Sequence, residues 1–461
     1  MCGICGWLET GGRDGNLTAV RRMMSRLERR GPDHEGSFSD GPLAFGHRRL
    51  SILDLSFHGH QPMIDRERGL AIVFNGTIYN HPQLREELQS LGHRFASTGD
   101  TEVILAAFRE WGPDGVSRLD GMFAFAIWDM RDGALFLFRD RQGIKPLYHT
   151  VGDGPLRFAS SIPALLAAGN VDTDFDPSAL HHQFTLHAVV PAPRTIFRGV
   201  NKLPPGHWMR VDRNGNRTLN RYWAIDTAED HDVPADEWPE LIHERLLDAV
   251  RKRLAISDVP VGVLLSGGLD SSLIVALAHE AGVTPKTFTI GFEDQPEEKG
   301  SEFEYADPVA ERYQTEHFRF HVPNEQVLTR LPEAVREMNE PMFGQDAVAF
   351  YLLSEQVARE VKVVLSGQGA DEVFGGYFWY PKMAETAGSD LERFAPHYFD
   401  RDHEELMAMV TQRFRGPDAT SERVKQGLAG NGRGSFANRV LGFDASTLIV
   451  DDPVKRVDNM T

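Results

Sequence analysis

Apolar positions in the first half of the chain fall into short runs broken by glycine, proline and asparagine. Residues 122–128 and 134–138 are continuous apolar runs separated by Asp132-Gly133. That pair is a tight-turn signal, so the stretch predicts a hairpin of two strands buried on both faces. Helical spacing occurs over 17–30, where Leu17, Val20, Met24 and Leu27 share a face, and again over 82–91. A third helix is predicted over 101–111, opened by Thr101 as a capping residue and carrying Val103, Ile104, Ala107 and Phe108. Helices mixed with antiparallel hairpins predict an α+β sandwich.

The pattern changes in the second half. Helices are predicted over 240–254, 271–280, 305–313, 325–338 and 348–359, with strands over 261–265, 287–291, 317–322 and 362–365. Such alternation predicts a doubly wound parallel sheet. Between about 210 and 238 the chain turns polar, with an Asn-Gly pair and clustered acids. The expected organisation is therefore a first domain over 1–210, a linker over 211–237 and a second domain over 238–461.

Composition narrows the function classes. At 461 residues the chain exceeds what a single core normally holds. A formal charge of −18 repels nucleic acid and anionic membranes, and neither is an expected partner. The two cysteines, Cys2 and Cys5, can build neither a disulfide framework nor a four-ligand zinc site. No apolar run reaches membrane-spanning length, and the first residues lack the basic-then-apolar order of a signal peptide. The expected location is cytoplasmic.

Cys2 follows the initiator methionine, and a residue this small permits its removal. The mature chain would then begin with a thiol, of pKa about 8.5, beside an α-amine of about 7.7–8.0 that can take its proton. Position alone is a weak signal, since an incidental buried cysteine fits it better. The surroundings shift the balance: Met1-Cys2-Gly3-Ile4-Cys5-Gly6, Arg30-Gly31-Pro32-Asp33, Gly46 to Ile52, Phe74-Asn75-Gly76, Thr98 to Glu102, Gly121 to Phe125 and Arg139-Asp140-Arg141 occur in order. The ordered set resembles the class II glutamine amidotransferases, whose N-terminal-nucleophile domain (an αββα sandwich) splits glutamine into glutamate and ammonia.

The resemblance implies that Cys2 attacks the side-chain amide, with Asn75 and the Gly76 amide as the oxyanion hole. It makes Arg49 the clamp on the glutamine α-carboxylate and Asp100 the partner of its ammonium. The plainer alternative makes Arg49 and Asp100 surface charges and Asn75-Gly76 an ordinary turn. Thr77 stands where many asparagine synthetases carry a glutamate. Cys5 is expected to be a packing residue.

A second motif follows the predicted strand ending at Leu265: Ser266-Gly267-Gly268-Leu269-Asp270-Ser271-Ser272, then a helix. A strand, a glycine turn and a helix N-terminus cradle an anion on backbone N–H groups. The spacing lacks the Walker lysine, so γ-phosphate transfer is not indicated. The loop resembles that of the ATP pyrophosphatases, which cleave ATP to AMP and pyrophosphate. Gly291 resembles the strand end lining AMP, and Ser366-Gly367-Gln368-Gly369-Ala370-Asp371-Glu372 resembles the family's second loop. The implied cofactors are ATP and Mg²⁺, the ion held by Asp270 and Asp371; taken singly, these acids would be solvated or capping residues.

Adenylation makes a carboxylate attackable by ammonia, which explains why two such halves share one chain. The superfamily resemblance is to glutamine-hydrolysing asparagine synthetases, implying an internal ammonia tunnel and a homodimer. Gln368 replaces the acid common there. Stretches including 186–194, 348–354 and Trp379-Tyr380-Pro381 resemble N-acetylglutaminylglutamine amidotransferase, implying that dipeptide as the carboxylate acceptor in osmolyte synthesis. Aspartate is the alternative acceptor. The chain also ends before an Arg-x-Pro-Phe-Leu-Asp-like run and a later lysine of the family. A bare glutaminase, or a non-catalytic nucleotide-binding chain, is therefore a third expectation.

Overall fold

The computed structural model describes residues 1–10, 13–229, 232–294, 299–342, 346–430 and 433–461. Two compact units emerge, the first comprising 1–228, 339–342 and 372–458, the second 229–338, 343–371 and 459–461.

The first unit is built on two six-stranded antiparallel sheets. One runs, in spatial order, Val200–Lys202, Tyr148–Thr150, Leu156–Ala159, Gly3–Leu8, Leu43–Arg49 and His34–Asp40. The other runs Arg217–Arg221, His207–Val211, Ala134–Arg139, Gly121–Asp129, Leu70–Ile78 and Met63–Asp65. Strand side chains alternate between faces, and here both faces are covered. Ala71 and Val73 meet Ile4, Phe45 and Phe158 between the sheets, while Leu70, Ile72 and Phe74 pack outward against the helix Asp100–Trp111. The opposite outer face packs Cys5, Trp7 and Ala44 on the helix Leu17–Ser25. Four layers, αββα, result, which explains why the strands read as unbroken apolar runs rather than alternating ones.

The predicted hairpin is present, with Asp129 opposite Ala134 and Gly133 at a φ of +62° in the turn. Three local expectations need correction. The first helix stops at Ser25 instead of 30, because residues 26–31 form turns that lead Arg30 inward. The third begins at Asp100 behind Gly99, with no side-chain cap from Thr101; the Asp100 carboxylate instead accepts the N–H of Ile78. The polar stretch predicted as linker also begins inside this unit, since Arg217–Arg221 pairs with His207–Val211 as an edge strand.

Residues 372–458, expected in the second domain, fall instead in the first unit, and they contribute helices that the sequence pattern did not delimit. Phe394, Tyr398, Val424, Val440 and Phe443 from these helices form a core with Leu186 and Val189. Beneath it lies a buried charge cluster: Lys202 Nζ reaches Glu340 Oε2 and Asp451 Oδ1, each at 2.7 Å, and the Val190 carbonyl at 2.6 Å, with Lys455 3.8 Å from Glu340. Burial disfavours the Lys202 charge, but Asp451 and Glu340 outweigh it and raise its pKa.

The second unit contains a four-stranded parallel sheet in the order His317–Val322, Lys286–Phe292, Val261–Leu264, Val363–Leu365. Helices Trp238–Ala255, Leu269–Glu280, Phe303–Tyr313, Asn324–Glu337 and Asp346–Val357 alternate with it, as predicted to within a few residues at each end. Chain order reverses beside Val261–Leu264, and such a switch point opens a crevice at the carboxyl ends of the strands. Among the described residues no helix is long and apolar enough to cross a membrane.

Candidate active sites

Cys2 immediately precedes the strand Gly3–Leu8, which lies inside its sheet between Leu156–Ala159 and Leu43–Arg49. Its Sγ accepts the Leu50 N–H at 3.4 Å and donates to the Leu50 carbonyl at 3.7 Å. Burial pushes the thiol pKa up, against the opposing pull of the terminal ammonium, the Leu50 amide and Arg49. The terminal amine, here on Met1, is lowered to about 5, chiefly by burial and then by the Arg30 charge. A base stronger than water is therefore needed to ionise this thiol.

Asn75 and Gly76 lie on Leu70–Ile78, opposite Ala124 and Phe123. Asn75 is 1% exposed, and its Nδ2 has no hydrogen-bond partner among the described residues. An unpaired buried amide donor is costly unless some acceptor arrives. Asp100 is buried near enough for its charge to raise the Cys2 pKa. Its own carboxyl is pushed up to about 6, burial outweighing the N–H groups of Ile78, Asp100 and Thr101.

Arg49 is likewise buried rather than a surface charge, and its field reaches Cys2. Its guanidinium donates to the carbonyls of Ser56 at 3.1 Å, Leu53 at 3.2 Å and Asp54. Three of its five donor positions thus hold the 53–56 loop, leaving fewer for a carboxylate than a wholly free fork would offer. Cys5 is fully buried, with Sγ against the Val20 and Gly46 carbonyls, as befits packing.

Two features of this site carry no sequence signal as to role. Leu50 supplies peptide groups, so its side chain is irrelevant to holding the thiol. Arg30 donates Nε to the Cys2 carbonyl at 3.2 Å and grips Asp458 by Nη1 at 2.7 Å and Nη2 at 3.1 Å. Its motif was legible, but a partner so far along the chain was not.

In the second unit, Leu265 is buried and its N–H continues the sheet to the Phe288 carbonyl at 2.8 Å. Gly267 then adopts a φ of +88°, and a Cβ there would lie 2.4 Å from the Tyr305 backbone. Only glycine allows this turn and this approach. Ser266 Oγ accepts the Gly268 N–H at 3.3 Å and sits 3.1 Å from Ser271 Oγ, closing the loop on itself. Leu269 opens the helix, two residues earlier than Ser271, so the N–H groups of Leu269, Asp270 and Ser271 lie in its first turn without intrahelical acceptors, while that of Ser272 bonds the Gly268 carbonyl at 3.1 Å. Ser272 Oγ has no partner among the described residues. Gly291 is next to last in the neighbouring strand and bridges Ser301.

Residues 366–371 follow Val363–Leu365, and a Cβ on Gly367 would lie 2.8 Å from that of Asp270. The two loops therefore converge. Burial, then the Asp371 charge, raises the Asp270 carboxyl above its usual range. Two carboxylates in mutual repulsion beside a glycine loop suit a hard divalent cation, and Mg²⁺ fits that donor set.

The fold defines a two-part class: an αββα sandwich whose central strand begins just after Cys2, joined in one chain to a parallel sheet whose first strand leads into a glycine loop and a helix. The profile of the glutamine amidotransferase domain matches residues 1–223, and that of asparagine synthase matches 241–461. Asparagine synthetase (glutamine-hydrolyzing) 1 of Bacillus subtilis is 38% identical over 388 residues, covering 82% of this chain and 59% of the relative. Its namesake numbered 3 is 33% identical, covering 82% and 64%. A Methanocaldococcus jannaschii protein provisionally named asparagine synthetase (glutamine-hydrolyzing) 2 is 33% identical over 429 residues, covering 85% and 81%. The chain belongs to the glutamine-hydrolysing asparagine synthetase family. It spans about three fifths of the length of the two Bacillus relatives.

Proposed function

We propose that the chain hydrolyses glutamine at Cys2 and uses the ammonia to amidate a carboxylate activated as its acyl-adenylate, with release of AMP and pyrophosphate. The observation that carries the first half is the Cys2 thiol held by Leu50 in the same sandwich as the buried, unpartnered Nδ2 of Asn75. With Met1 removed, the Cys2 α-amine takes the thiol proton, Sγ attacks the amide carbon, and Asn75 Nδ2–H and the Gly76 N–H receive the developing oxyanion. Asp100 holds the substrate ammonium and Arg49 its α-carboxylate. In the second half, loop 266–272 cradles the phosphates of ATP. Asp270 and Asp371 would hold Mg²⁺, which neutralises charge on departing pyrophosphate.

The acceptor is read as N-acetylglutaminylglutamine, on the stretches that resemble that amidotransferase and on Gln368, a neutral amide in the second loop. Aspartate is the second reading, favoured by the names of the relatives. Pyrophosphate release measured with each acid, ATP, Mg²⁺ and glutamine decides between them. Activity with aspartate alone overturns the dipeptide, and release with neither overturns the ligase half. Asp270→Asn is expected to cut the Mg²⁺-dependent rate at least about tenfold and to raise the Mg²⁺ needed for half-maximal release. An unchanged rate removes Asp270 from the metal site.

Asp100 gives a pH dependence with a definite sign. Its carboxyl is raised from 3.8 to about 6, so the acceptor for the ammonium is lost as pH falls through 6. Glutaminase kcat/KM is expected to drop about tenfold per pH unit below that point. Asp100→Asn should start from a lower value and flatten that limb. The same shift means that this residue's contribution to folding stability decreases as pH rises from 3.8 to 6.

A further inference from the structure

We propose that His181, His403 and Asp418 form a binding site for a borderline divalent cation, with zinc the ion their chemistry suits. The three come from separate elements of the first unit: the helix Pro177–Thr185, the first residue of His403–Met409, and the N-cap of Ala419–Ala429. His181 Nε2 lies 3.0 Å from His403 Nδ1 and 3.7 Å from Asp418 Oδ1, and one ligand atom from each residue falls within 4.8 Å of the others. Ligands at about 2.0–2.1 Å from a tetrahedral ion stand about 3.3 Å apart, so the two short edges bracket that figure. Asp418 is held by the Ser421 N–H at 2.9 Å, which orients its carboxylate.

What distinguishes the group from a plain histidine pair is a count of protons. Thr185 donates its hydroxyl proton to the His181 carbonyl at 2.7 Å. The Thr420 hydroxyl, 2.7 Å from Thr185 Oγ1, must therefore be the donor in that contact. Thr420 Oγ1 is then an acceptor toward both His181 Nδ1 at 2.8 Å and His182 Nδ1 at 3.0 Å, so each ring carries its proton on Nδ1. His181 Nε2 is left with a lone pair that faces His403 Nδ1 at 3.0 Å, in a ring 4% exposed. A carboxylate oxygen 3.7 Å from that lone pair sets two acceptors face to face, an arrangement that a cation between them makes favourable. The Nδ1–H of His181 on Thr420 is also how metal-binding histidines are held from behind. His403 must carry its proton on Nε2 to join as ligand, a tautomer change with no net proton released.

The test uses the full chain, stripped with chelator and titrated with Zn²⁺ by calorimetry and with Co²⁺ by visible absorption. One ion per chain is expected, with the intense absorption of tetrahedral cobalt. His403→Ala should abolish it, and Thr420→Val, which keeps every ligand, should weaken affinity about 10–100-fold. Circular dichroism confirms that each variant is folded, and Thr420→Val carries the test if His403→Ala is not. Absence of stoichiometric binding overturns the site. So does binding unchanged in His403→Ala, or binding lost only in Cys2→Ala, which would place the ion at the thiol. The proposal does not depend on the amidation chemistry.

Discussion

Replacing Cys2 by alanine is expected to lower glutamine hydrolysis by at least about 10⁴-fold, the scale on which removal of a nucleophile acts, while nucleotide binding by the second unit is unchanged. Among the described residues Sγ hydrogen-bonds to the N–H and carbonyl of Leu50, so the smaller side chain breaks no hydrogen bond beyond them. A melting temperature within a degree or two of the parent would confirm that chemistry, not folding, was removed. Ammonia supplied externally should restore amide formation, because it bypasses the thiol. An uncleaved N-terminal tag should match the alanine variant, since it converts the α-amine to an amide that cannot take a proton. Hydrolysis retained in either protein would remove Cys2, or its amine, from the mechanism.

Lys202→Met is expected to destabilise the chain by about 3–5 kcal/mol, the cost of breaking a buried ion cluster on one side. Lys202 is 1% exposed and its ammonium sits between Glu340 and Asp451, so methionine would take the cation from both acids, leaving Glu340 with Lys455 at 3.8 Å. Urea denaturation, followed at the transition that reports the first unit, measures the loss. A triple variant replacing Lys202, Glu340 and Asp451 with apolar residues of similar size should recover much of it, because paired burial is nearly neutral overall. A change under about 1 kcal/mol in Lys202→Met would mean that water reaches the cluster.

The αββα sandwich and parallel sheet were legible because their signals are local. Two apolar runs around Asp132-Gly133 dictate a hairpin whatever surrounds it, and Ser266 to Ser272 after an apolar strand dictates a loop that only a helix N-terminus can complete. The residues that make up the first site were legible as a set of motifs, yet their geometry was not. Arg49 sits against three carbonyls of the following loop, and no pattern of residue types distinguishes that from an open fork. The helices after 372 escaped notice because each is short and gains stability from the others. Phe394, Val424 and Phe443 form a shared core only once the chain has folded back on Leu186. Long-range polar pairs such as Lys202 with Asp451 are silent in sequence for the same reason, as each partner looks like an ordinary surface charge until burial is known.

The bidentate grip of Arg30 on Asp458, with its third nitrogen on the Cys2 carbonyl, bears on how this protein can be dissected. A fragment ending after the sandwich, near residue 223, would retain the guanidinium and discard the carboxylate that neutralises it. The stranded cation would then drift toward solvent and release the peptide unit behind the thiol. Such an excised piece would serve as a detuned surrogate, and rates measured on it would understate those of the intact polypeptide.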